Sequence, residues 1–323
     1  MYKKYFNGKN AIITGAASGI GKSFAIALAK RGTNLLISDI NHERLEETRK
    51  KLESFGIKVF AIKCDVTNHT DIKEMVKTAI IEMGDIHFVF SNAGMHMVGP
   101  FEFVATSSWK QIIDINLWGM INVVKEFIPY LLKQGFGHII VTSSISGSMG
   151  IGGQIPYTTT KFSNAGFCEA LYGEFAHRGL DVSIICPFPL QTNLIETVGL
   201  SFPPELLEGL SQENINQGIA QGKHSYWSEL CKKQPIWRGF GGGFPVDRAI
   251  KRYMKKIRKK KLYIFERRYG RLLQFLRGFW PRMYKKFVKS IGKRHIRLIH
   301  ETYEIALKNV AFRNEKLLIK NGK

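Results

Sequence analysis

The chain has 323 residues, 44% of them hydrophobic and 12% aromatic, enough to bury a full core and too apolar for disorder throughout. Its four cysteines, Cys64, Cys168, Cys186 and Cys231, lack CxxC spacing. That argues against a disulfide framework or a four-cysteine metal site and suits a reducing cytoplasm. The formal charge of +22 comes from 48 Lys+Arg against 26 Asp+Glu.

In chain order, Met1–Asn10 is polar and carries Lys3, Lys4 and Lys9, and glycines interrupt the apolar stretch that follows. No signal peptide is expected. No long uncharged apolar window reads as a spanning helix. Two periods then alternate. The apolar runs Ala11–Thr14, Leu35–Ser38, Val59–Lys63, Phe88–Ser91, His138–Thr142 and Val182–Cys186 read as buried strands. Between them, Ile20–Arg31, Glu43–Phe55, Thr70–Met83, Ser107–Gln134 and Pro156–Arg178 have helical spacing. Near-continuous apolar strands, each followed by a helix, imply a parallel sheet covered on both faces. Right-handed crossovers make it doubly wound. A seventh strand is expected at Leu262–Phe265, after the helix Asp247–Lys259. The expected class is α/β, a Rossmann-type doubly wound parallel sheet of about seven strands with a basic helical C-terminal extension.

The first strand runs directly into Thr14-Gly15-Ala16-Ala17-Ser18-Gly19-Ile20-Gly21. Glycines at this spacing let the backbone approach a pyrophosphate at a helix N-terminus. A tight strand–helix turn is the simpler reading of the string, and its place in a βαβ unit favours the dinucleotide. Asp39 ends the second strand, where a carboxylate can accept both ribose hydroxyls and repel a 2′-phosphate. Neither Ser18 nor Ile40 supplies a positive charge for that phosphate, so NAD is expected over NADP. Lys22 and Arg44 lie near enough in sequence to blur the preference. Asp39 also reads as a helix N-cap.

Tyr157 and Lys161 are four apart at a helix start, with Pro156 suited to the first turn. An ammonium beside a phenol is expected to lower the phenol pKa toward working pH, allowing proton exchange with an alcohol or carbonyl. Ser144, at the carboxyl end of a strand, lies where ligands bind in such sheets, and its hydroxyl can donate to a substrate oxygen or cap a loop.

Together these residues resemble the short-chain dehydrogenase/reductase family, classical type. The matching pieces are Thr14–Gly21, Asp65-Val66, Ser91-Asn92-Ala93-Gly94, Asn116, Ser144, Tyr157 and Lys161, in family order over roughly residues 8–265. The resemblance implies Tyr157 as general acid/base, with Lys161 lowering its pKa and binding the nicotinamide ribose. Ser144 would polarise the substrate oxygen, and Asn116 would hold a water in a proton relay. Gly15, Ser18, Gly19, Ile20 and Gly21 would form the dinucleotide loop. Asp65 and Val66 would meet the adenine, and Asn92, Ala93 and Gly94 would line the cofactor. Pro187 would sit by the nicotinamide, and Thr192 would bind its carboxamide. A hydride would pass between nicotinamide and substrate without a metal. Two departures stand out. Ser91 replaces an asparagine, and Phe188 replaces the glycine of a usual Pro-Gly pair beside the nicotinamide, which puts the fit of that ring in question.

In the family, the stretch corresponding to Asn193–Phe244 forms a substrate lid. Here it carries Leu194, Ile195, Leu200, Phe202, Leu206, Leu207, Leu210, Trp227, Trp237 and Phe240, which suits a lipophilic alcohol or ketone or simple packing against the body. Gly239–Pro245 reads as a hinge. Met95, His96 and Met97 are expected near the pocket mouth, with His96 as a wall residue.

The charge is unevenly placed. Residues 1–246 hold 23 basic and 21 acidic side chains, and residues 247–323 hold 25 and 5. From Arg271 to Ile291, Leu272, Leu276, Phe279, Trp280, Met283, Phe287 and Ile291 recur at three- or four-residue steps among basic residues. This reads as an amphipathic helix, bent or split near Pro281. A second helical stretch is expected from about His295 to Ile319, with Ile296, Ile299, Tyr303, Leu307 and Val310 on one side. The tail fits an anionic membrane surface, or packing on its own body or a neighbouring subunit. No reader motif supports nucleic acid.

The reading is therefore a catalytic domain over 1–266, with a lid over 193–244, and a basic amphipathic tail over 267–323. It is expected to transfer a hydride between NAD(H) and a lipophilic alcohol or ketone, in the cytoplasm or peripheral on the cytoplasmic membrane face. The alternative is a non-catalytic dinucleotide-binding sensor or scaffold recruited through its tail. The resemblance also implies a homodimer or homotetramer joined by the helices bearing Asn116 and Tyr157.

Overall fold

The structure, a computed structural model, describes residues 4–191, 198–202, 207, 211–233, 244–267 and 269–308, with backbone alone at 191, 227, 229–233, 307 and 308. Seven apolar runs become strands β1 (Asn10–Thr14), β2 (Asn34–Asp39), β3 (Val59–Lys63), β4 (Phe88–Ser91), β6 (Gly137–Thr142), β7 (Leu180–Ile185) and β11 (Tyr263–Ile264). They form one sheet in the order β3-β2-β1-β4-β6-β7-β11, with every pairing parallel. Every residue of β4 and β6 is buried, as expected of strands covered on both faces. Short two-stranded pairs sit beside the sheet: β5 (His96–Val98) with β9 (Val198–Leu200), and β8 (Leu190–Gln191) with β10 (Phe244–Pro245).

Helices α1 (Gly19–Ala29), α2 (His42–Glu53) and α8 (Val246–Ile257) accompany a core of Phe24, Leu28, Leu45, Phe90, Tyr253 and Ile257. The other core includes Val76, Val123, Phe127 and Cys168 from α3 (His69–Met83), α5 (Gly119–Gln134) and α6 (Ile155–Phe175). Side chains fix the starts of α2 and α3. Asn41 accepts from Arg44 N–H, and Asn68 accepts from Thr70 N–H. Asp39 is therefore not the cap of α2. The order of strands reverses between β1 and β4, which opens a crevice at their carboxyl ends.

The expected single helix Ser107–Gln134 is three pieces: α4 (Thr106–Ile113), a π turn (Asp114–Trp118) and α5. One widened turn leaves the apolar period almost unchanged, so sequence spacing does not reveal it. The turn carries Asn116, whose buried side chain reaches the backbone of Met95. Gly119 follows it because a Cβ there would meet Val66 Cγ2 at 2.6 Å.

The C-terminal helices also divide differently from expectation. Helix α9 (Tyr269–Phe279) ends before Trp280, and α10 runs unbroken over Pro281–Lys308. Pro281 occupies the first position of α10, where its missing N–H costs nothing, so the break falls there and none falls between Ile291 and His295. Val310 and the rest of the expected stretch lie outside the described residues, as does the Leu307 side chain. Helix α7 (Gln212–Lys233) packs against α10, with Gly222 beside Ala306 and Leu200. A third apolar cluster joins Val98, Val198, Tyr226, Leu298, Ile299 and Tyr303. The strongly basic end of the chain is thus anchored to the body through α10.

Candidate active site

The strand ends are tied together by one polar residue. Asn92 Nδ2 donates to the carbonyls of Thr14 and Gly15, both at 3.2 Å, and Asn92 Oδ1 accepts from Thr142 Oγ1 at 3.0 Å. Thr14 Oγ1 accepts from the N–H groups of Asn92 and Ala93 at 3.0 and 3.1 Å. The ends of β1, β4 and β6 are held in register around the crevice.

Gly15 has φ +66°, and a Cβ there would press on the Ala93 backbone at 2.8 Å. Gly21 admits no Cβ either, because it abuts the Gly15 carbonyl and Asn92. The loop therefore lies flat against the β4 end, with the N-terminus of α1 open behind Gly19. Asp39 holds this loop: its Oδ2 accepts from Ala17 N–H and its Oδ1 from Asn41 N–H, both at 3.0 Å. Asp65 accepts from the N–H and hydroxyl of Thr67 at 2.8 Å.

A cavity of about 510 Å³ runs along these ends. Among the residues singled out from sequence, Gly15, Ser18, Gly19, Ile20, Asp39, Asp65, Val66, Asn92, Ala93, Gly94, Ser144, Tyr157, Lys161 and Pro187 line it. Gly21 packs the loop from behind. Asn116 stands behind Gly94, where a Cβ would meet Asn116 Oδ1 at 3.0 Å and Lys161 Nζ at 3.7 Å. Thr192 lies outside the described residues. A loop with glycine at positions 15, 19 and 21 beside an open helix N-terminus, with Asp39 and Asp65 also on the lining, fits a dinucleotide.

Ser144, Tyr157, Lys161 and Pro187 line the same cavity. The Ser144 hydroxyl lies near enough to the Tyr157 phenol to favour its charged form. Ser144 Oγ accepts from Ser146 N–H at 3.1 Å, so the hydroxyl caps the loop that follows β6. Ser143 takes a different task, donating to the Lys161 carbonyl at 2.9 Å. Lys161 Nζ donates to the Thr142 carbonyl at 3.0 Å and lies 5.5 Å from the Tyr157 ring centroid. Asn116 Nδ2 donates to the Met95 carbonyl at 2.8 Å and to Thr160 Oγ1 at 3.3 Å.

The electrostatics differ from the sequence expectation in one respect. Burial pushes the Tyr157 phenol up to about 12, opposed by the Ser144 hydroxyl, and pushes Lys161 down to about 8. Desolvation dominates here, because spacing along a helix says nothing of how dry the face is. At neutral pH the phenol holds its proton and Lys161 is charged.

Phe188 is buried and lines the cavity. Its N–H donates to Glu266 Oε1 at 2.9 Å. The second oxygen of this buried carboxylate accepts from the Tyr253 hydroxyl at 2.6 Å. The Pro187-Phe188-Pro189 turn is thereby pinned to α8 and the end of β11. Met95 and His96 line the cavity, and Met97 is buried on β5 away from it. The His96 ring meets Tyr157 edge-on at 4.4 Å. Leu194, Ile195, Leu206, Leu210, Trp237, Phe240 and most of the Gly239–Pro245 hinge lie outside the described residues.

Some wall residues escaped the sequence reading. Tyr226 of α7, Gln154, Leu273 of α9 and Ile291 and His295 of α10 also line the cavity. The tail, read from sequence as an appendage that bears on location, therefore forms part of the pocket. The signal for His295 was a histidine among the packed apolar positions Ile291, Leu298 and Ile299. Its partners are distant in sequence and could not be read.

A parallel seven-stranded sheet, a glycine cradle and a Ser–Tyr–Lys cluster define a nicotinamide-dependent oxidoreductase of the doubly wound class. Residues 9–200 match the family model for short chain dehydrogenase. The chain belongs to this family. It is 34% identical over 211 residues to an uncharacterized oxidoreductase of Listeria monocytogenes, covering 65% of this chain and 81% of that one. It is 35% identical to a cyclohexanol dehydrogenase of an Acinetobacter species, over 59% of this chain and 76% of that one. A crystal structure of a short chain dehydrogenase/reductase from Burkholderia phymatum in complex with NAD superposes with TM-score 0.69 at 24% identity, covering 84% of this chain and 94% of that chain. The chain is an oxidoreductase acting on CH–OH groups and their carbonyl counterparts. α7, α8, α9 and α10 lie beyond the residues that match the family model.

Proposed function

We propose that the protein transfers a hydride between NAD(H) and a lipophilic alcohol or ketone, with Tyr157 as the proton donor and acceptor. The observation that carries this is the convergence of Ser144, Tyr157 and Lys161 on one cavity, walled also by Met149, Ile151, Phe188, Leu273 and Ile291, with Lys161 Nζ 5.5 Å from the Tyr157 ring centroid. The nicotinamide supplies or takes the hydride when bound. Gly15, Gly19 and the α1 N-terminus hold the pyrophosphate, and Asp39, Asp65 and Val66 hold the adenosine. Ser144 and Tyr157 orient the substrate oxygen, and Tyr157 moves the proton. Lys161 binds the ribose and stabilises phenolate. Asn116, fixed by the Met95 backbone, holds the water of the proton relay. Thr192 is assigned to the nicotinamide carboxamide on the family resemblance.

Asp39 supports NAD over NADP. Its carboxylate lines the cavity, Ile40 beside it is 61% exposed, and neither offers a 2′-phosphate a cation. kcat/KM with NADH is expected to exceed that with NADPH by about 10-fold or more, the scale of one unfavourable charge pair at close range. A preference for NADPH would reject the assignment.

The tail supports a peripheral place on an anionic membrane. Among the described residues no helix is long and apolar enough to cross one. Leu272, Phe275, Phe279, Trp280 and Met283 are exposed, with Phe275 stacked on Phe279 at 4.5 Å. Arg271, Arg277, Arg282, Lys285 and Lys286 are exposed around them, which complements anionic lipid at about 1 kcal/mol per cation. Sedimentation with phosphatidylserine vesicles is expected at low salt, with loss at high salt and in Phe279→Ser/Trp280→Ser. Absence of binding at low salt would reject this placement. α5, α6 and the preceding turn leave Trp118, Tyr130 and Tyr172 exposed, which supports a homodimer or homotetramer through these helices.

A further inference from the structure

The cavity wall carries a second polar pair that the hydride transfer does not use. Tyr226 is 2% exposed and His295 is 4% exposed, and both line the cavity. His295 Nδ1 lies 2.5 Å from the Gly152 carbonyl. A carbonyl only accepts, so Nδ1 carries the hydrogen. Burial pulls the His295 pKa down to about 4, so the ring is neutral and holds only that hydrogen. Nε2 is then a bare lone pair, and the Tyr226 hydroxyl, 2.8 Å away, must donate to it. With its hydrogen committed, the Tyr226 oxygen can offer the cavity lone pairs only.

His96 repeats the pattern. Its Nε2 faces Gln154 Oε1 at 2.7 Å, and the other Gln154 amide atom donates to Ser146 Oγ at 3.0 Å. The Nε2 hydrogen is thus used. Its Nδ1 is buried without a partner among the described residues. A buried unpaired acceptor on a cavity wall is unusual and points to a donor supplied from inside the cavity.

Resting on the oxidoreductase reading above, we infer that this wall recognises a second polar group on the substrate: a hydroxyl or N–H other than the reacting one, donated to Tyr226. His295 is a positioning residue that sets the polarity of Tyr226. Ser144 and Tyr157 donate to the reacting oxygen, whereas Tyr226 accepts, and Met149, Ile151, Leu273 and Ile291 supply apolar lining to the same cavity. The substrate class is a lipophilic ketone or alcohol that carries a second hydrogen-bond donor. Because His295 belongs to α10, the C-terminal region sets this preference.

The test uses decan-2-one, 10-hydroxydecan-2-one and 10-methoxydecan-2-one, with shorter ω-hydroxy-2-ketones to scan the distance. Turnover is measured with NADH, and binding is measured by calorimetry on the protein–NAD⁺ complex, where the ketones cannot react. At the best chain length the hydroxyketone is expected to exceed the plain ketone at least tenfold in kcat/KM and in affinity, and the methoxyketone is not. In Tyr226→Phe that ratio falls toward one. In His295→Phe the freed Tyr226 hydrogen turns the preference toward the methoxyketone. These ratios are taken within one preparation and do not depend on how much of a variant folds. The inference is overturned if the intact protein shows no preference for any hydroxyketone, or if the preference survives Tyr226→Phe. Hydroxyl-dependent binding without turnover would instead sink the oxidoreductase reading and leave this one standing.

Discussion

Tyr157→Phe is expected to lower kcat by about 10²–10⁴-fold, the usual worth of a positioned acid/base, while NADH still binds. The substitution removes one oxygen and keeps the ring. That ring meets His96 edge-on at 4.4 Å and lies 5.5 Å from Lys161 Nζ, so its neighbours keep their places. The loss corresponds to about 3–5 kcal/mol of transition-state stabilisation. The pH dependence of the intact enzyme should differ between directions. Reduction needs the protonated phenol, which burial holds up to about 12, so its rate should be nearly flat through neutral pH. Oxidation needs the phenolate, so its kcat/KM should rise about tenfold per pH unit. The rise should flatten above about 8, where Lys161 loses the charge that stabilises phenolate. Turnover by Tyr157→Phe within a few-fold of the intact enzyme would reject the assignment. Parallel pH profiles in the two directions would reject the proton bookkeeping.

Tyr303→Ala is expected to cost about 3–5 kcal/mol of stability, as for other large buried aromatics. Tyr303 is 3% exposed, and its ring lies 4.6 Å from Phe202. Its hydroxyl hydrogen faces the carbonyls of Ser201 at 2.5 Å and Val98 at 3.3 Å. Gly99 makes room for it, since a Cβ there would meet the phenol oxygen at 2.6 Å. The residue sits two turns beyond His295 on α10. Loosening it frees the helix that carries Ile291 and His295 into the cavity, so KM for a lipophilic substrate should rise more than KM for the cofactor. Tyr303→Phe separates the causes, losing only the hydroxyl and about 0.5–1.5 kcal/mol. Thermal unfolding and paired KM values check both variants. An unchanged melting temperature in Tyr303→Ala would mean that α10 is not docked through this residue.

The parallel sheet was legible because its strands are buried on both faces and therefore appear as unbroken apolar runs. The expected and observed spans of β3 and β4 coincide, and those of the other sheet strands differ by one or two residues at an end. The loop from Gly15 to Gly21 was legible because close backbone packing at Gly15 and Gly21 leaves no room for a Cβ. The π turn at Asp114–Trp118 was hidden, since a single widened turn barely disturbs the apolar spacing. The Tyr157 environment was misjudged for another reason. A four-residue spacing brings Lys161 alongside, but burial under the wall that includes Tyr226 and Phe188 is set by segments distant in sequence. The tail shows the same limit. Its periodicity revealed apolar positions without distinguishing exposed Phe279 and Trp280 from Ile291, which lines the pocket.

The most direct test of the account is isotope transfer from NADH deuterated at carbon 4 to a lipophilic ketone such as decan-2-one. The account predicts an alcohol carrying deuterium on the former carbonyl carbon, formed by the intact protein and almost absent with Tyr157→Phe. Firm binding of NADH and ketone with no deuterium in any alcohol product would contradict it.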